Sequence, residues 1–469
     1  MQVDKVLQGK YPAKVHIQRV IKHLLRQTPQ LNGIIFLSGS PVQFYQDCDL
    51  EIPFRQRRAF MYLSGVNSPD HHLLYEIDRQ LLTLFTPVAD AEQILWGGST
   101  LTSDEALAKY DVDVVLSSED ICATLKTIGD HSKGVQSTVY TIEGHVEAGF
   151  AFPEEMSVNS VSLKEAIDEC RVVKGEYEIA LISKANAITC AAHEAVMKSV
   201  RSSHTEGEIE AVFLGECTRK GARIQAYPSI VASGRAAATM HPEANNQSLY
   251  VDGTRKEVLL IDAGAEWDCY GADVTRTLPL SGKFSKEAGE IYQTVLRMQE
   301  ECIAVLKEGV LWDDVHLLAH KIAIDGLLLL GILKGDPREI LAARTSAAFF
   351  PHGLGHFLGM DTHDTGGRPH QSESDPLFRY LRVRRHLPAG CVVTVEPGIH
   401  FGEHTIRQYL EDPVHSKYIN VKVLDKYLKV GGICIEDDLL VTVRGSVNLT
   451  HLPKDLSAVE KTVSREDVP

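Results

Sequence analysis

Apolar residues in the first third of the chain gather in short runs. GIIFLSG (33–39), FMYLSGV (60–66), LLTLFTP (81–87), QILWGG (93–98) and VDVVLS (112–117) are bounded by turn-forming or polar residues, and each predicts a strand. SDEALAKY (103–110) and SSEDICATLKTIG (117–129) predict helices with serine N-caps. Strands alternating with helices imply an α/β domain. From Glu176 the period changes. Leu181, Ala185, Ile188, Ala192, Val196 and Val200 recur at steps of three and four, the apolar face of a long helix. Thr205, with Glu208 three residues on, opens a second helix through a capping box, and that helix carries Ile209, Val212 and Phe213. Strand-type sequence follows in YPSIVASG and EVLLIDAGAEWDCYGADVTRTLPL. The order then recurs. Ser285 opens a helix with Ile291, Val295, Met298, Cys302 and Val305 on one face, and a second helix covers about residues 312–330. FFPHGLGHFLG, GCVVTVEPGIHF and GGICIEDDLLVT again read as strands. Residues 175–280 and 285–445 are thus two copies of helix–helix–strands, whose sheets would face each other across a groove. The expected domains are residues 1–165 and 166–469.

Composition narrows the function. The chain has 469 residues, 44% of them hydrophobic, enough for two cored domains. A formal net charge of −15 lacks the basic face that phosphate backbones select, so no nucleic-acid partner is expected. Nine cysteines, an odd number with no C-x-x-C, exclude a disulfide framework or zinc ribbon and suit a reducing compartment. MQVDKVLQGKYPAK at the N-terminus has no apolar core of a signal peptide. No apolar run approaches the roughly 18 residues of a membrane span. A cytoplasmic protein is therefore expected, with no membrane association, and the sequons at Asn246 and Asn448 are chance matches. No G-x-x-x-x-G-K-[ST] occurs in the first domain, which leaves it a role in dimerisation or in covering a site; a homodimer is expected.

Four carboxylates sit where core is expected. VLLIDAG ends an apolar strand on Asp262, YGADVTRTLPL places Asp273 in the next strand, VVTVEPG ends on Glu396, and Glu436 lies between Ile435 and a further apolar run. Burying an unpaired charge is prohibitive, and the sequence sets no matching lysines or arginines beside these four. Metal ions are the economical partner: two divalent cations neutralise four carboxylates. Asp, Asp, Glu, Glu and one histidine form an oxygen-rich set suited to manganese, iron(II), cobalt or magnesium. A source of the histidine is FFPHGLGHFLGMDTHD (349–364), with His352, His356 and His363. Glycines between the first two argue against the helical H-E-x-x-H zinc grip.

The series Asp262, Asp273, His356, Glu396, Glu436 resembles the pita-bread metallopeptidases, the family of methionine aminopeptidase, aminopeptidase P, prolidase and creatinase. FFPHGLGHFLGMDTHDTGG, LRVRRHLPAGCVVTVEPGIHF, GGICIEDDLLVT and GKYPAK are similar to eukaryotic prolidase and fungal Xaa-Pro aminopeptidases, and PFRQRRAFMYLSG to their N-terminal domain. The resemblance implies an α+β fold: a pita-bread catalytic domain, two helix–helix–strand halves around a curved antiparallel sheet, preceded by an α/β domain of the creatinase/aminopeptidase P N-terminal type. It implies two divalent ions per chain, manganese expected, held by Asp262, Asp273, His356, Glu396 and Glu436, with Asp273 and Glu436 bridging. A hydroxide between the ions would attack the carbonyl preceding proline in a small peptide substrate, with Glu396 as proton shuttle. The prolyl nitrogen has no hydrogen of its own and must gain one to leave. His241, His352 and His363 match histidines that steady the substrate or its carbonyl oxygen. Arg382 matches the arginine that grips a dipeptide's free carboxylate, although Arg384 and Arg385 stand close by. One position departs from the family: where arginine is usual two residues before the last glutamate, this chain has Cys434, a residue expected on the same strand face as Glu436. Two other readings compete. A catalytically impaired pita-bread protein would act as a binding module, and a creatinase-like amidinohydrolase would share the fold; the complete ligand set weighs against both.

Overall fold

The computed structural model describes residues 2–88, 94–96, 98, 100–131, 137–146, 149–239, 245–370 and 372–465. The chain divides after Arg171 into two compact units. In the first, strands β1 (Ile34–Ser38), β2 (His72–Glu76), β3 (Leu81–Thr86), β4 (Val114–Ser117), β5 (Ser137–Tyr140) and β6 (Met156–Asn159) form one sheet in the order β4-β3-β2-β1-β5-β6. β1, β2 and β3 pair antiparallel, and β4, β5 and β6 join in parallel. Phe36, Leu74, Phe85 and Val139 bury against Leu125 of the helix Ile121–His131, which is the α/β packing expected.

Two strand expectations fail in this unit. FMYLSGV lies in a helix, Arg58–Ser64, stopped by Gly65 at φ +70°. Phe60, Met61, Tyr62 and Leu63 are all buried, so the run carries neither helical nor strand periodicity, and an apolar run alone does not separate the two. In QILWGG, Gln93 and Gly97 fall outside the described residues, and 94–96 form a helical turn. The first predicted helix begins one residue early: its cap is Thr102, whose Oγ1 accepts from Glu105 N at 3.3 Å while the Glu105 carboxylate accepts from Thr102 N at 2.9 Å.

In the second unit helices Glu176–Ser199 and Glu206–Arg219 precede β7 (Ile224–Gln225), β8 (Ile230–Ser233), β9 (Tyr250–Val251), β10 (Thr254–Arg255), β11 (Val258–Asp262), β12 (Ala265–Trp267), β13 (Tyr270–Gly271) and β14 (Thr275–Pro279). Helices Lys286–Val305 and Trp312–Leu329 then precede β15 (Val392–Val395), β16 (Gly398–His400), β17 (Gly432–Cys434), β18 (Asp437–Val441) and β19 (Ser446–Asn448). The repeat read from the pattern is present, and the fold is the pita-bread domain expected. All six predicted apolar positions of Glu176–Ser199 and its C-cap are buried, as are Ile291, Val295, Met298 and Cys302; Val305, at the last turn, is exposed.

What positions the site is a shared defect. In the first half, antiparallel β11 and β14 end and resume as β12 and β13; in the second, β15 and β18 end and resume as β16 and β17. Asp262 closes β11, and Asp273, Glu396 and Glu436 stand in the breaks. Asp273 is thus just ahead of a strand rather than inside one. FFPHGLGHFLG is not a strand either. It lies along β15 through bonds from Thr394 N to His356 O (2.9 Å), Leu358 N to Val392 O (3.0 Å) and Glu396 N to Leu354 O (2.8 Å). A Cβ on Gly355 would stand 2.1 Å from Thr394 O, so this glycine permits the close approach that sets His356 beside Glu396. Among the described residues no helix is long and apolar enough to cross a membrane.

Candidate metal centre

The breaks converge. Asp262, Asp273 and Glu436 offer donor atoms within 4.8 Å of one another, and Asp273, His356 and Glu396 do the same. Asp273 belongs to both sets, so the five residues singled out from sequence form two adjoining triads. His356 Nε2 lies 3.0 Å from Asp273 Oδ2 and 3.1 Å from Glu396 Oε1. Its Nδ1 is 2.9 Å from Phe357 O; a carbonyl only accepts, so Nδ1 carries a hydrogen and Nε2 is the atom aimed into the cluster.

The electrostatics are those of acids crowded without a base. Burial and then Asp273 push the Asp262 carboxyl well above the usual range. Burial, then Asp262, Glu396 and Asp273, do the same to Glu436. Burial acts against charge on His356, but Glu396 and Asp273 outweigh it and raise its pKa well above the ordinary imidazole value. Burial would raise Glu396 too; the His356 cation and the Thr394 hydroxyl overcome it and hold Glu396 at about 2. Among the described residues no lysine or arginine is in ion-pair distance of the four carboxylates. Tyr227 Oη lies 2.6 Å from both Asp262 Oδ1 and Asp273 Oδ1. One hydroxyl hydrogen cannot serve both, so a carboxyl proton completes the second bond. Protons and one imidazolium balance the cluster, which is the chemistry of a site shaped for divalent cations.

Arg276 is close, yet it serves other groups. It donates to Glu436 O (2.8 Å) and Asp437 Oδ1 (2.7 Å), and Lys454 Nζ is 2.8 Å from Asp437 Oδ2. Burial opposes ionisation of Asp437, but Arg276 and Lys454 lower its pKa. Asp438 Oδ2 accepts from Asn186 Nδ2 (2.7 Å) and from Asp273 N (3.1 Å), fixing the backbone under the shared ligand. Tyr227, Thr394 and Asp438 escaped the sequence reading. The double aspartate after Glu436 was the signal for the last, since a strand carrying Glu-Asp-Asp into core must satisfy all three.

The histidines separate. His363 packs edge-on against His356, ring centroids 4.5 Å apart, with its ring exposed. His352 instead pairs with His400, their Nε2 atoms 3.2 Å apart. His400 was not anticipated. It stands on β16, and burial and His352 push its pKa down to about 3. His241 lies outside the described residues. Arg382 is exposed, while Arg384 is bound to Asp313 and Glu373 (2.8 and 3.0 Å) and Arg385 donates to Gly366 O. The predicted face-sharing of Cys434 and Glu436 is realised: Sγ donates to Glu436 Oε1 at 3.0 Å. Burial and the adjoining carboxylates hold the Cys434 thiol well above its usual pKa.

With this geometry in hand, comparison with known proteins is direct. Residues 180–443, more than half the chain, match metallopeptidase family M24, and residues 16–140 match the aminopeptidase P N-terminal domain. A probable Xaa-Pro aminopeptidase of Sordaria macrospora is 53% identical over 465 residues, covering 99% of this chain and 98% of that protein. Aminopeptidase P from Escherichia coli with the inhibitor Pro-Leu superposes with a TM-score of 0.77 at 28% identity, over 97% of this chain and 99% of the other. A zinc-substituted form of that enzyme in complex with product gives 0.78 at 29% identity, with the same coverage. The chain belongs to metallopeptidase family M24, its peptidase domain preceded by an aminopeptidase P N-terminal domain.

Proposed function

We propose that this protein is a dinuclear-metal Xaa-Pro aminopeptidase, which hydrolyses the bond between an N-terminal residue and a penultimate proline. The observation that carries the reading is the pair of donor triads sharing Asp273. Their fit to cations rests on carboxylates, Asp273 and Glu436 buried and Asp262 and Glu396 half-buried, that no lysine or arginine compensates among the described residues. Asp262, Asp273 and Glu436 would hold one ion, and Asp273, His356 and Glu396 the other. Manganese is the proposed metal, in keeping with the oxygen-rich set. Bound ions would supply Lewis acidity at the reacting water and carbonyl. The names of the relatives support the substrate class, since they are Xaa-Pro aminopeptidases over nearly the whole chain.

The protein's own groups complete the reaction. Glu396, at the edge of the cluster and bonded by Thr394 Oγ1, carries the proton from water to the prolyl nitrogen. His363, packed against His356, and His352, packed against His400, orient the carbonyl, and His241 assists on the substrate side. Arg382, the exposed member of its arginine group, would receive the carboxylate of a dipeptide. Two domains are supported by the two compact units and the separate family matches, although the compact units part after Arg171, six residues beyond the expected 165/166 and at the end of the helix Ser162–Val172. A homodimer would cover the exposed Val42, Phe44, Tyr45, Leu50 and Ile52 of the N-terminal unit. A cytoplasmic location suits nine cysteines that are all free. The test is turnover of Gly-Pro, Ala-Pro and an Ala-Pro-Xaa tripeptide by manganese-reconstituted protein. Release of the N-terminal residue from the tripeptide is expected. Cleavage of dipeptides alone turns the assignment to a dipeptidase, and no cleavage with metal bound turns it to a binding module.

A further inference from the structure

Helix Lys286–Val305 turns an apolar face to the core through Ile291, Val295, Met298 and Cys302, and a glutamine stands in the middle of that face. Gln299 is fully buried. An amide in such a place is costly unless its polar atoms are bonded. Its Nε2 donates to Val395 O at 3.2 Å and to Ile435 O at 3.1 Å, and its Oε1 accepts from Lys454 Nζ at 2.9 Å. Two carbonyls that only accept and an ammonium that only donates leave the amide one orientation. Lys454 is itself fixed by Asp437, 2.8 Å away.

The two carbonyls are those that immediately precede Glu396 and Glu436. The β15–β18 ladder stops at Val395 opposite Asp437, and the β16–β17 ladder resumes at Gly398 opposite Cys434. Both glutamates stand in that interval. A peptide unit is planar, so Val395 O is rigidly tied to Glu396 N, and Ile435 O to Glu436 N. Those nitrogens donate to Leu354 O at 2.8 Å and to Thr275 O at 3.1 Å. Each peptide plane is thus pinned at both ends. Gln299 holds one end of each, and the other end is held by a segment that carries a further ligand candidate: Leu354 leads to His356, and Thr275 follows Asp273. Glu396 and Glu436 belong to different donor triads, so a single amide spans the two. The first half of the domain has a matching arrangement on helix Glu176–Ser199. Thr189 Oγ1 accepts from Ala265 N at 2.9 Å and His193 Nε2 donates to Ala263 O at 3.0 Å, just beyond Asp262.

Resting on the dinuclear reading, we propose that Gln299 is a positioning residue of the metal centre, setting the spacing of Glu396 and Glu436 by holding the peptide units that lead into them. Metal–ligand distances are held to within about 0.2 Å, and the interval between the two ladders lacks the regular pairing that would keep its backbone to such a tolerance. Gln299 touches neither ion nor substrate and acts through the backbone alone.

The test is manganese binding to chelator-treated full-length protein, followed by calorimetry at a temperature where the unfolding curves show each variant folded. The unsubstituted protein is expected to take two ions per chain. Gln299→Met keeps the length of the side chain but donates nothing, and should weaken manganese binding about 10–100-fold, the usual effect of removing a group that orients a metal ligand. Gln299→Asn, one methylene short, reaches at most one carbonyl and should fall between the two; it also serves if the methionine variant does not fold. Val295→Ala loosens the same helix without removing either bond, and should lower the unfolding temperature while leaving manganese affinity unchanged. Unchanged affinity in a folded Gln299 variant overturns the proposal, and so does an equal loss in Val295→Ala. Failure of both Gln299 variants to fold in manganese overturns it as well, since the residue then serves the core alone. Absence of binding in the unsubstituted protein is a different result: it removes the dinuclear reading, and the proposal with it.

Discussion

Glu436 and Asp437 are neighbours in sequence, both buried, and they face opposite fates. Asp437 is gripped by Arg276 and Lys454 at 2.7 and 2.8 Å, and Asn448 Nδ2 adds a bond at 2.8 Å. Its ionised form is favoured. Glu436, one peptide away, faces Asp262, Glu396 and Asp273, and its ionised form is disfavoured. Alternation along the strand explains how adjacent side chains reach different surroundings. Both positions put a carboxylate into core, so burial is the same in kind. What differs is the source of the positive charge. At Asp437 the fold brings it, and the pair is architecture. At Glu436 no lysine or arginine among the described residues brings it, and on the proposed reading a bound cation would.

The widest separation between the two is expected in activity. Asp273→Asn removes the carboxylate common to both triads and should lower kcat/KM by about 10³-fold or more, the effect of several kcal/mol of transition-state stabilisation. Metal content measured on the same preparation should fall with it; full activity at reduced metal would place the chemistry elsewhere. On the architectural side, Arg276→Met leaves Asp437 charged and poorly compensated. A loss of about 3–5 kcal/mol in denaturant unfolding follows. Lys174 and Asp364 form a second such pair, 2.8 Å apart with both side chains 1% exposed. Asp364 follows His363, so Lys174→Met should destabilise by a similar few kcal/mol and also raise KM by displacing the His363 loop.

Acidity reads the same contrast in chelator-treated protein. The folded pKa of Glu436 and Asp262 lies above the unfolded one, so between the two values the folded state holds more protons. Stability must therefore fall as pH rises from about 4 through that window, and manganese should flatten the fall. Asp437 has the opposite sign: its contribution is present above about pH 4 and is lost as pH drops toward the lowered folded value. Glu436→Gln should accordingly stabilise metal-free protein at neutral pH while abolishing activity; destabilisation there would break the comparison. The smallest change expected is at Cys434→Arg. The thiol packs with Ala232, Ala237 and Leu260 and is 3% exposed. Overpacking should cost about 1–3 kcal/mol in thermal unfolding.

How much of this could be read from the chain follows from the same physics. The four carboxylates were legible because charge in an apolar run is an anomaly that sequence displays directly, whereas His356 was singled out from its two neighbours only by the family resemblance. The paired halves were legible because their long helices keep a 3.6-residue period. Arg58–Ser64 was not, since a helix buried on all sides has no period to show. β2 and β5 went unmarked because HLLYE and STVY are short and lie in polar surroundings, and only the pairing of β1 with both reveals them as sheet. His400 and Cys434 looked unrelated at 34 residues apart. The β16–β17 register, which sets Gly398 opposite Cys434, is what joins them.

The pairing of β18 has a consequence for how the chain finds its fold. A slip of one residue exchanges the faces of a strand. At β18 it would turn Asp437 away from Arg276 and present Glu436 in its place, leaving Asp437 among the carboxylates. The slipped form would still hold one ion pair, but it would shift the metal ligand off the line of Asp262 and Asp273. On the proposed dinuclear reading, divalent cations present during folding would act as proofreaders: they would bind the correct register, hold it by mass action, and give the misaligned strand nothing in return.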